Sequence, residues 1–353
     1  MSRNTGSVWV DKQTGASILG GKKVWIADRW KDYEVLDTSS GEKLERWGSY
    51  ILVRPDPQVI WDTPHDSYGW KKKNAHYHRS DKGGGRWEFF DLPEQWTIGY
   101  ELKISTPDTD GKSGADRKSG ADGESGMDAE VDAGPSTDRT LTFNLKPFQF
   151  KHTGLFPEQA VNWDWMAEKI VSSGKKRGSF KVLNLFAYTG GATVACLKAG
   201  AHVTHVDASK GMVGWAKENV AASGLSDAPV RFFVDDCVKL VERELRRGNR
   251  YDGILMDPPS YGRGPKGEVW KLEERVYELI SLTSGLLSDD AAFFLINSYT
   301  TGLQPAVLDH MLKTAVKKDH GGRVEADEVG LPVTDGMTDD LILPCGATGR
   351  WFR

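Results

Sequence analysis

From Leu155 onward, short continuous apolar runs alternate with longer amphipathic stretches, and this alternation restricts the fold more than any other feature of the 353-residue chain. The apolar runs cover residues 181–186, 202–206, 230–234, 253–256 and 292–296. Helical patterns fall at 157–170, 191–198, 209–223, 237–247, 268–287 and 305–316. A strand apolar on both sides must be covered on both faces, and helices recurring between such strands supply the cover. The pattern specifies a doubly wound α/β domain with a mostly parallel sheet. Residues 323–329 and 341–344 read as a closing antiparallel pair.

Two segments depart from this texture. Residues 1–104 hold eight of the thirteen tryptophans in short runs broken by Gly, Pro and Asp. Within them 47–54 and 87–90 read as strands, the first stopped by Arg54-Pro-Asp-Pro. Residues 105–138 contain no aromatic side chain and repeat with a period of six: Ser113-Gly-Ala-Asp, Ser119-Gly-Ala-Asp, Ser125-Gly-Met-Asp. So polar a stretch cannot offset the entropy of ordering its backbone, and a flexible insertion is expected. Strand texture resumes at 141–150, which places the insertion inside a hairpin of 96–104 with 141–150. The chain thus divides into a small Trp-rich β domain (1–104 with 139–150), the insertion (105–138) and the α/β domain (151–353).

Cys196, Cys237 and Cys345 are far apart and odd in number, with neither a disulfide framework nor a zinc pattern, and suit a reducing compartment. No apolar run approaches the roughly 18 residues of a membrane span. The first twenty residues lack the apolar core of a secretory signal, and Asp11 makes them a poor transit peptide. The expectation is a cytoplasmic protein, with an organellar address left open, no membrane association and no metal.

In a doubly wound sheet, ligands sit beyond the carboxyl ends of the strands, where the strand order switches. The first such loop reads Asn184-Leu-Phe-Ala-Tyr-Thr-Gly-Gly191. Its glycines permit close backbone approach to a ligand and the next helix offers free N–H groups, although a plain tight turn would use glycines equally. Asp207 follows Gly191 by 16 residues, a spacing that suits a carboxylate bonding ribose hydroxyls. Asp236, in Asp235-Asp236-Cys237, can accept from an adenine amino group. Both aspartates also have the composition of helix N-caps, and Asp257-Pro258-Pro259 is equally able to stop a strand. Their succession at four consecutive strand ends points to an adenosine-type cofactor. The chain has no G-x-G-x-x-G turn and no P-loop lysine, which disfavours dinucleotide and phosphate sites.

Residues 150–300 resemble the S-adenosylmethionine-dependent methyltransferases that modify large-subunit ribosomal RNA. The matching text is Phe150-Lys-His-Thr-Gly-Leu-Phe-Pro-Glu-Gln159, Leu183-Asn-Leu-Phe-Ala-Tyr-Thr-Gly-Gly191, Val206-Asp-Ala-Ser-Lys210, Trp215-Ala-Lys-Glu-Asn219, Asp235-Asp-Cys237 and Asp257-Pro-Pro-Ser260. The resemblance implies the seven-stranded class I, Rossmann-like form of the sheet, S-adenosylmethionine as cofactor, and RNA, ribosomal by this likeness, as partner. It implies that Asn184, Phe186, Tyr188, Thr189 and Gly190 face the methionine part, and that Asp207 holds the ribose. By the same likeness Asp236 meets the adenine with Cys237 packed behind it, and Gln159 closes over the cofactor. Two departures stand out. Asn184 replaces an acidic residue common in class I enzymes, which leaves the methionine amino group to carbonyls and a helix dipole. The Trp-rich domain stands where some relatives carry a PUA RNA-binding module.

Methylation of cytosine C5 needs a cysteine thiolate that adds to the ring. Such enzymes carry it beside the fourth or a later strand, where this chain reads Asp257-Pro-Pro-Ser260 and Ile296-Asn-Ser-Tyr299. Asp257, Pro258 and Tyr261 suit transfer to a nitrogen instead. The carboxylate and a proline carbonyl accept from an amine while an aromatic face holds the base. Ser260, between the prolines and Tyr261, departs from the exocyclic-amine motif. Asp257, Pro258 and Tyr261 are the expected catalytic set, with Asp257 also bordering the cofactor. The expected reaction is methylation of a base nitrogen in RNA; the alternatives are cytosine C5 methylation and a noncatalytic RNA-binding or ribosome-assembly factor.

Trp70-Lys-Lys-Lys-Asn-Ala-His-Tyr-His-Arg79 and the Gly-rich loop 261–267 combine cations with aromatic rings, the composition that grips phosphates and unpaired bases. Lys71, Lys72, Lys73, Arg79 and Arg263 are the substrate-binding candidates, although a solvated turn would carry the same lysines. The net charge of −4 does not oppose an RNA partner. The insertion carries nine acidic residues against three basic, whereas residues 1–104 carry sixteen basic against fifteen acidic.

Overall fold

The computed structural model describes residues 9–10, 17–19, 22–80, 84–104, 138–148, 151–263, 269–300, 302–334 and 341–353. All of the expected insertion except Asp138 lies outside the described residues, as do Phe150 and residues 264–268 of the Gly-rich loop. Among the described residues no helix is long and apolar enough to cross a membrane.

The five apolar runs form the parallel strands β1 (Lys181–Leu185), β2 (His202–Asp207), β3 (Val230–Val234), β4 (Gly253–Met256) and β5 (Phe293–Ser298). With β6 (Arg323–Pro332) and β7 (Ile342–Phe352) they lie in the order β6-β7-β5-β4-β1-β2-β3, β7 running antiparallel to its neighbours. Every residue of β4 and β5 is buried, as continuous apolar strands between two helical layers must be. The closing pair is longer than 341–344 suggests. β7 inserts between β5 and β6 and has ladder partners on both sides, from Phe352 opposite Phe293 to Ala347 opposite Ser298.

The helices are α1 (Ala160–Ser172), α2 (Gly191–Lys198), α3 (Lys210–Ala222), α4 (Cys237–Arg246), α5 (Leu272–Ser284) and α6 (Pro305–Leu312). α5 begins later than its sequence pattern because Val269–Lys271 is taken into a short antiparallel ladder with Tyr261–Arg263.

The N-terminal part divides between two sheets. Lys22–Ile26 runs parallel to β6, and Ser17–Leu19 and Trp9–Val10 follow, extending the large sheet to ten strands. A separate five-stranded sheet contains Tyr33–Ser39, Glu42–Trp47, Tyr50–Pro55, Ala75–Arg79 and Gly85–Phe89. Residues 47–54 are therefore not one strand: Gly48, at φ 64°, turns the chain between two. Trp96–Glu101 pairs antiparallel with Thr140–Leu145, as the sequence suggested. This hairpin docks on α3, where Asn219 Oδ1 accepts the Asn144 N–H and Trp215 Nε1 donates to the Asn144 carbonyl. One apolar cluster continues from Trp47 and Leu52 of the small sheet through Phe143 and Trp163 to Val182 and Phe293. The small sheet is thereby fixed against the large one.

Candidate active site

The strand order reverses at β1, which has β4 on one side and β2 on the other. The loop leaving β1 holds two non-glycine residues in the left-handed region, Phe186 at φ 55° and Tyr188 at φ 51°. Such backbone costs about 1–3 kcal/mol per residue and persists only where its surroundings impose it. Here they do. The Tyr188 N–H donates to Asp207 Oδ2 at 2.9 Å and the Phe186 N–H to Cys237 Sγ at 3.4 Å. Thr189 Oγ1 donates to the Gly154 carbonyl at 2.6 Å, and Asn219 Nδ2 donates to the Thr189 carbonyl at 2.9 Å. Asn184, buried, donates to Thr193 Oγ1 at 2.9 Å.

The glycines of this loop are needed for close packing within the protein, and Gly191 also lines the cavity at these strand ends. Gly190 adopts φ 84°, and a Cβ there would stand 2.9 Å from the Ala216 Cβ. A Cβ on Gly191 would stand 2.7 Å from Trp163 Cζ2. Both make room for packing of protein on protein.

Gln159, Asn184, Phe186, Tyr188, Thr189 and Asp257 line one cavity, together with the side chains of Phe156, Asn162, Trp163, Leu255 and Asn297. Asp257 sits just beyond β4, its N–H reaching the Leu185 carbonyl at 3.3 Å. Enclosure pushes its acid up to about 7, and the nearby Glu158 carboxylate adds to the shift. Burial likewise raises the Glu158 acid. Asp207 is raised too, by desolvation, opposed by the Ser209 and Tyr188 N–H groups that its oxygens accept.

Of the other expected residues, Asp236 caps α4, its Oδ1 accepting the Lys239 N–H at 2.9 Å. Cys237 is buried beneath Phe186. Pro258 is buried, while Tyr261 is 52% exposed on the short hairpin beyond it. Trp270, across that hairpin, donates to the Pro259 carbonyl at 2.7 Å and packs on Phe186 with ring centroids 5.5 Å apart. The Arg263 side chain lies outside the described residues. Lys71, Lys72, Lys73 and Arg79 are brought to the small sheet and do not line the cavity. Lys72 Nζ stands over the exposed Tyr68 ring at 5.4 Å and Lys73 Nζ over the exposed Phe90 ring at 6.0 Å.

Sequence reasoning missed the polar floor of the cavity. Asn162 Nδ2 and Asn297 Nδ2 both donate to Gln159 Oε1 at 2.8 Å, while Gln159 Nε2 donates to the Tyr299 hydroxyl at 2.6 Å. Thr348 Oγ1 donates to Asn297 Oδ1 at 2.7 Å, and Arg350 Nη2 donates to Asn162 Oδ1 at 2.6 Å. Asn297 and Tyr299 close β5, a strand end that sequence reasoning searched for a cysteine and not for hydrogen-bonding groups.

Comparison with known proteins adds findings of three kinds. A family model described as S-adenosylmethionine-dependent methyltransferase matches residues 125–295. The ribosomal RNA large subunit methyltransferase K/L of Shewanella frigidimarina is 34% identical over 158 residues, 44% of this chain and 21% of that protein. Its counterpart from Pseudoalteromonas atlantica is 37% identical over 133 residues, 37% of this chain and 17% of that protein. The chain thus spans about a fifth of the length of these relatives. Among solved structures, the SAM dependent methyltransferase from Agrobacterium tumefaciens superposes with a TM-score of 0.75 at 32% identity, covering 92% of this chain and 91% of that one. A chain crystallised with S-adenosylhomocysteine, at 17% identity and a TM-score of 0.58, shares the fold over 91% of this chain and 76% of its own length.

Proposed function

The chain belongs to the S-adenosylmethionine-dependent methyltransferases, and from that premise we propose that it methylates a base nitrogen in RNA, with ribosomal RNA the first substrate to test. The residues at the β1–β2–β4 strand ends fit the cofactor. Asp207 spends one lone pair of each oxygen on a backbone N–H and keeps the others for ribose hydroxyls. Asp236 has an oxygen left for an adenine amino group. The Tyr188 hydroxyl is buried in the wall of the cavity and has no hydrogen-bond partner among the described residues. Asn184, Phe186, Thr189, Gly190 and Gln159 frame the remainder. When bound, S-adenosylmethionine supplies an electrophilic methyl group on a positively charged sulfur.

The observation that carries the reading is Asp257, a carboxylate on the cavity wall whose acid is pushed up to about 7. In its ionised form it accepts an N–H of the entering base and aims the nitrogen lone pair into the cavity. It then takes the proton that the nitrogen gives up as the methyl group is gained. With the Pro259 carbonyl satisfied by Trp270, the Pro258 carbonyl would be the second acceptor for an amine, and the exposed Tyr261 ring would stack on the base. Covalent chemistry at C5 has no thiolate to use. Burial raises all three thiols, Cys196 up to about 12 and Cys237 and Cys345 further.

RNA is favoured by the names of the K/L relatives and by Lys72 and Lys73, each held over an exposed ring. Lys71, Arg79 and Arg263 would add phosphate contacts. Radiolabelled methyl transfer to total RNA, DNA and protein pools, followed by nucleoside analysis, tests the proposal. The expected product is an N-methylated base in RNA. Label in DNA or protein, or in 5-methylcytosine, would overturn it.

A further inference from the structure

The small sheet carries a second cluster of chemistry-bearing side chains, apart from the cavity. On the strand Ala75–Arg79, His76 and His78 lie two residues apart and therefore share a face, while Tyr77 between them turns into the core. Glu88, on the antiparallel neighbour Gly85–Phe89, stands directly opposite His76. The ligating atoms of His76, His78 and Glu88 all lie within 4.8 Å of one another, and the two imidazole centroids are 3.9 Å apart. From these observations we infer that His76, His78 and Glu88 form a binding site for zinc or a similar borderline divalent cation.

The donor set suits such an ion. Two imidazoles and one carboxylate match the ligand types that zinc selects, with the fourth position left for water. Ligands around zinc at about 2.0–2.1 Å stand roughly 3.4 Å apart, so the cluster must contract by at most about 1.4 Å. The side chains that would move are free to do so: His78 is 41% and Glu88 52% exposed. A support for the first ligand is already in place. His76 Nε2 lies 2.6 Å from Glu42 Oε1, the carboxylate–histidine contact that fixes an imidazole's tautomer and leaves Nδ1 for a metal. The His78–Glu88 contact at 2.8 Å is the one the cation would replace. Arg86 stands opposite His78, but the two glutamates still leave one surplus negative charge with neutral imidazoles. The sequence reading expected no metal because it looked for cysteine spacing; a His-x-His pair on a strand needs the cross-strand Glu88 to become a site. A cation there would tie the edge strand Gly85–Phe89 to its neighbour through three side chains, where the single His78–Glu88 contact and the Tyr77–Trp87 ring contact now supplement the backbone bonds.

The test is calorimetric titration of untagged, chelator-treated protein with zinc chloride, with magnesium as the control. The expected result is one zinc equivalent bound at micromolar affinity and no response to magnesium. Binding should be lost in His78→Ala and weakened about 10–100-fold in Glu42→Gln, the usual effect of removing a carboxylate behind a ligating histidine. All of these positions are on the surface face of the sheet, so in chelator the variants should melt with the wild type. Zinc should raise the melting temperature of the wild type and leave that of His78→Ala unchanged. Absence of zinc uptake by the wild type, or equal uptake by His78→Ala, would overturn the inference.

Discussion

Tyr188 and Asp207 join the ends of two parallel strands: the Tyr188 N–H, on a residue at φ 51°, donates to Asp207 Oδ2 at 2.9 Å. Asp207 Oδ1 accepts the Ser209 N–H at 2.8 Å. One carboxylate therefore fixes both the turn out of β1 and the turn out of β2. The group that holds the ribose under the proposed reading also shapes the wall against which the rest of the cofactor would lie.

Asp207→Ala removes that double acceptor. Two backbone N–H groups lose their partner, and stability should fall by about 1–3 kcal/mol. Cofactor affinity should fall about 10–100-fold, the worth of two hydroxyl contacts at about 1 kcal/mol each plus the loosened wall. Asp207→Asn, which keeps one acceptor oxygen, should fall between. Thermal melts and calorimetry with S-adenosylmethionine read the two effects separately, and unchanged affinity would remove Asp207 from the ribose.

Two helix glycines should respond in opposite directions. In Gly191→Ala the new methyl meets Trp163, which is 2% exposed and packed against Phe143, so it cannot yield; a loss of about 1–3 kcal/mol is expected. Among the described residues nothing outside its own helix backbone stands within 4 Å of where a Cβ on Gly214, inside α3, would sit. Gly214→Ala should stabilise by about 0.5–1 kcal/mol through helix propensity. Urea denaturation of the two variants measures both signs.

How far the sequence could be read follows from these contacts. The strand ends were legible because a continuous apolar run marks a strand buried on both faces, and the residue after each run must stand at the sheet's carboxyl edge. Asp207 and Asp257 were found that way. Asn162, Thr348 and Arg350 were not, because Asn162 and Thr348 meet at Asn297, and Arg350 reaches Asn162, only once β7 has inserted between β5 and β6. Gly190 and Gly191 were legible as necessary glycines but not for what, since the side chains they admit, Ala216 and Trp163, lie about 26 residues later and 28 earlier in the chain. Glu158 was quoted within a motif, yet its influence on Asp257 exists only in the folded chain.

Cys237→Ala tests the noncovalent route. The thiol is buried, raised by burial, and engaged as an acceptor for the Phe186 N–H. Its removal leaves that N–H unpaired and should cost about 1–3 kcal/mol of stability. Methyl transfer by the folded fraction should persist. Loss of transfer in a variant that still binds cofactor would reopen attack by a cysteine.

Asp257 should leave a mark on stability as a function of pH. The native carboxyl keeps its proton up to about pH 7, whereas an unfolded Asp gives it up near 3.9. Between these values the native state binds more protons, so this group's contribution falls as pH rises from about 4 to 7. Glu45, lowered to about 2 by Arg54 and Lys43 against its own burial, acts in the opposite sense and below that window. Between pH 4.5 and 7.5 the urea midpoint should therefore rise more, or fall less, in Asp257→Asn than in the wild type, the lowered His152 and His205 acting alike in both. An equal difference in the two proteins would show that Asp257 is not raised.

Replacing Asp257 by alanine separates binding from chemistry. The two aspartates stand at different strand ends, Asp207 closing β2 and Asp257 following β4, and under the proposed reading the first holds cofactor while the second faces the base. Asp257→Ala should lower kcat about 10²–10³-fold, the usual cost of removing one preorganised acceptor at the reacting atoms, while S-adenosylmethionine affinity changes less than threefold. In the wild type the rate should climb as pH rises through about 7, because only ionised Asp257 can accept the N–H of the base. Single-turnover rates on the identified RNA, measured from pH 6 to 8.5 beside calorimetric affinities, give both quantities. Loss of cofactor binding in Asp257→Ala would instead place that carboxylate on the cofactor side of the cavity, and a flat pH profile would leave the entering nitrogen needing no acceptor at all.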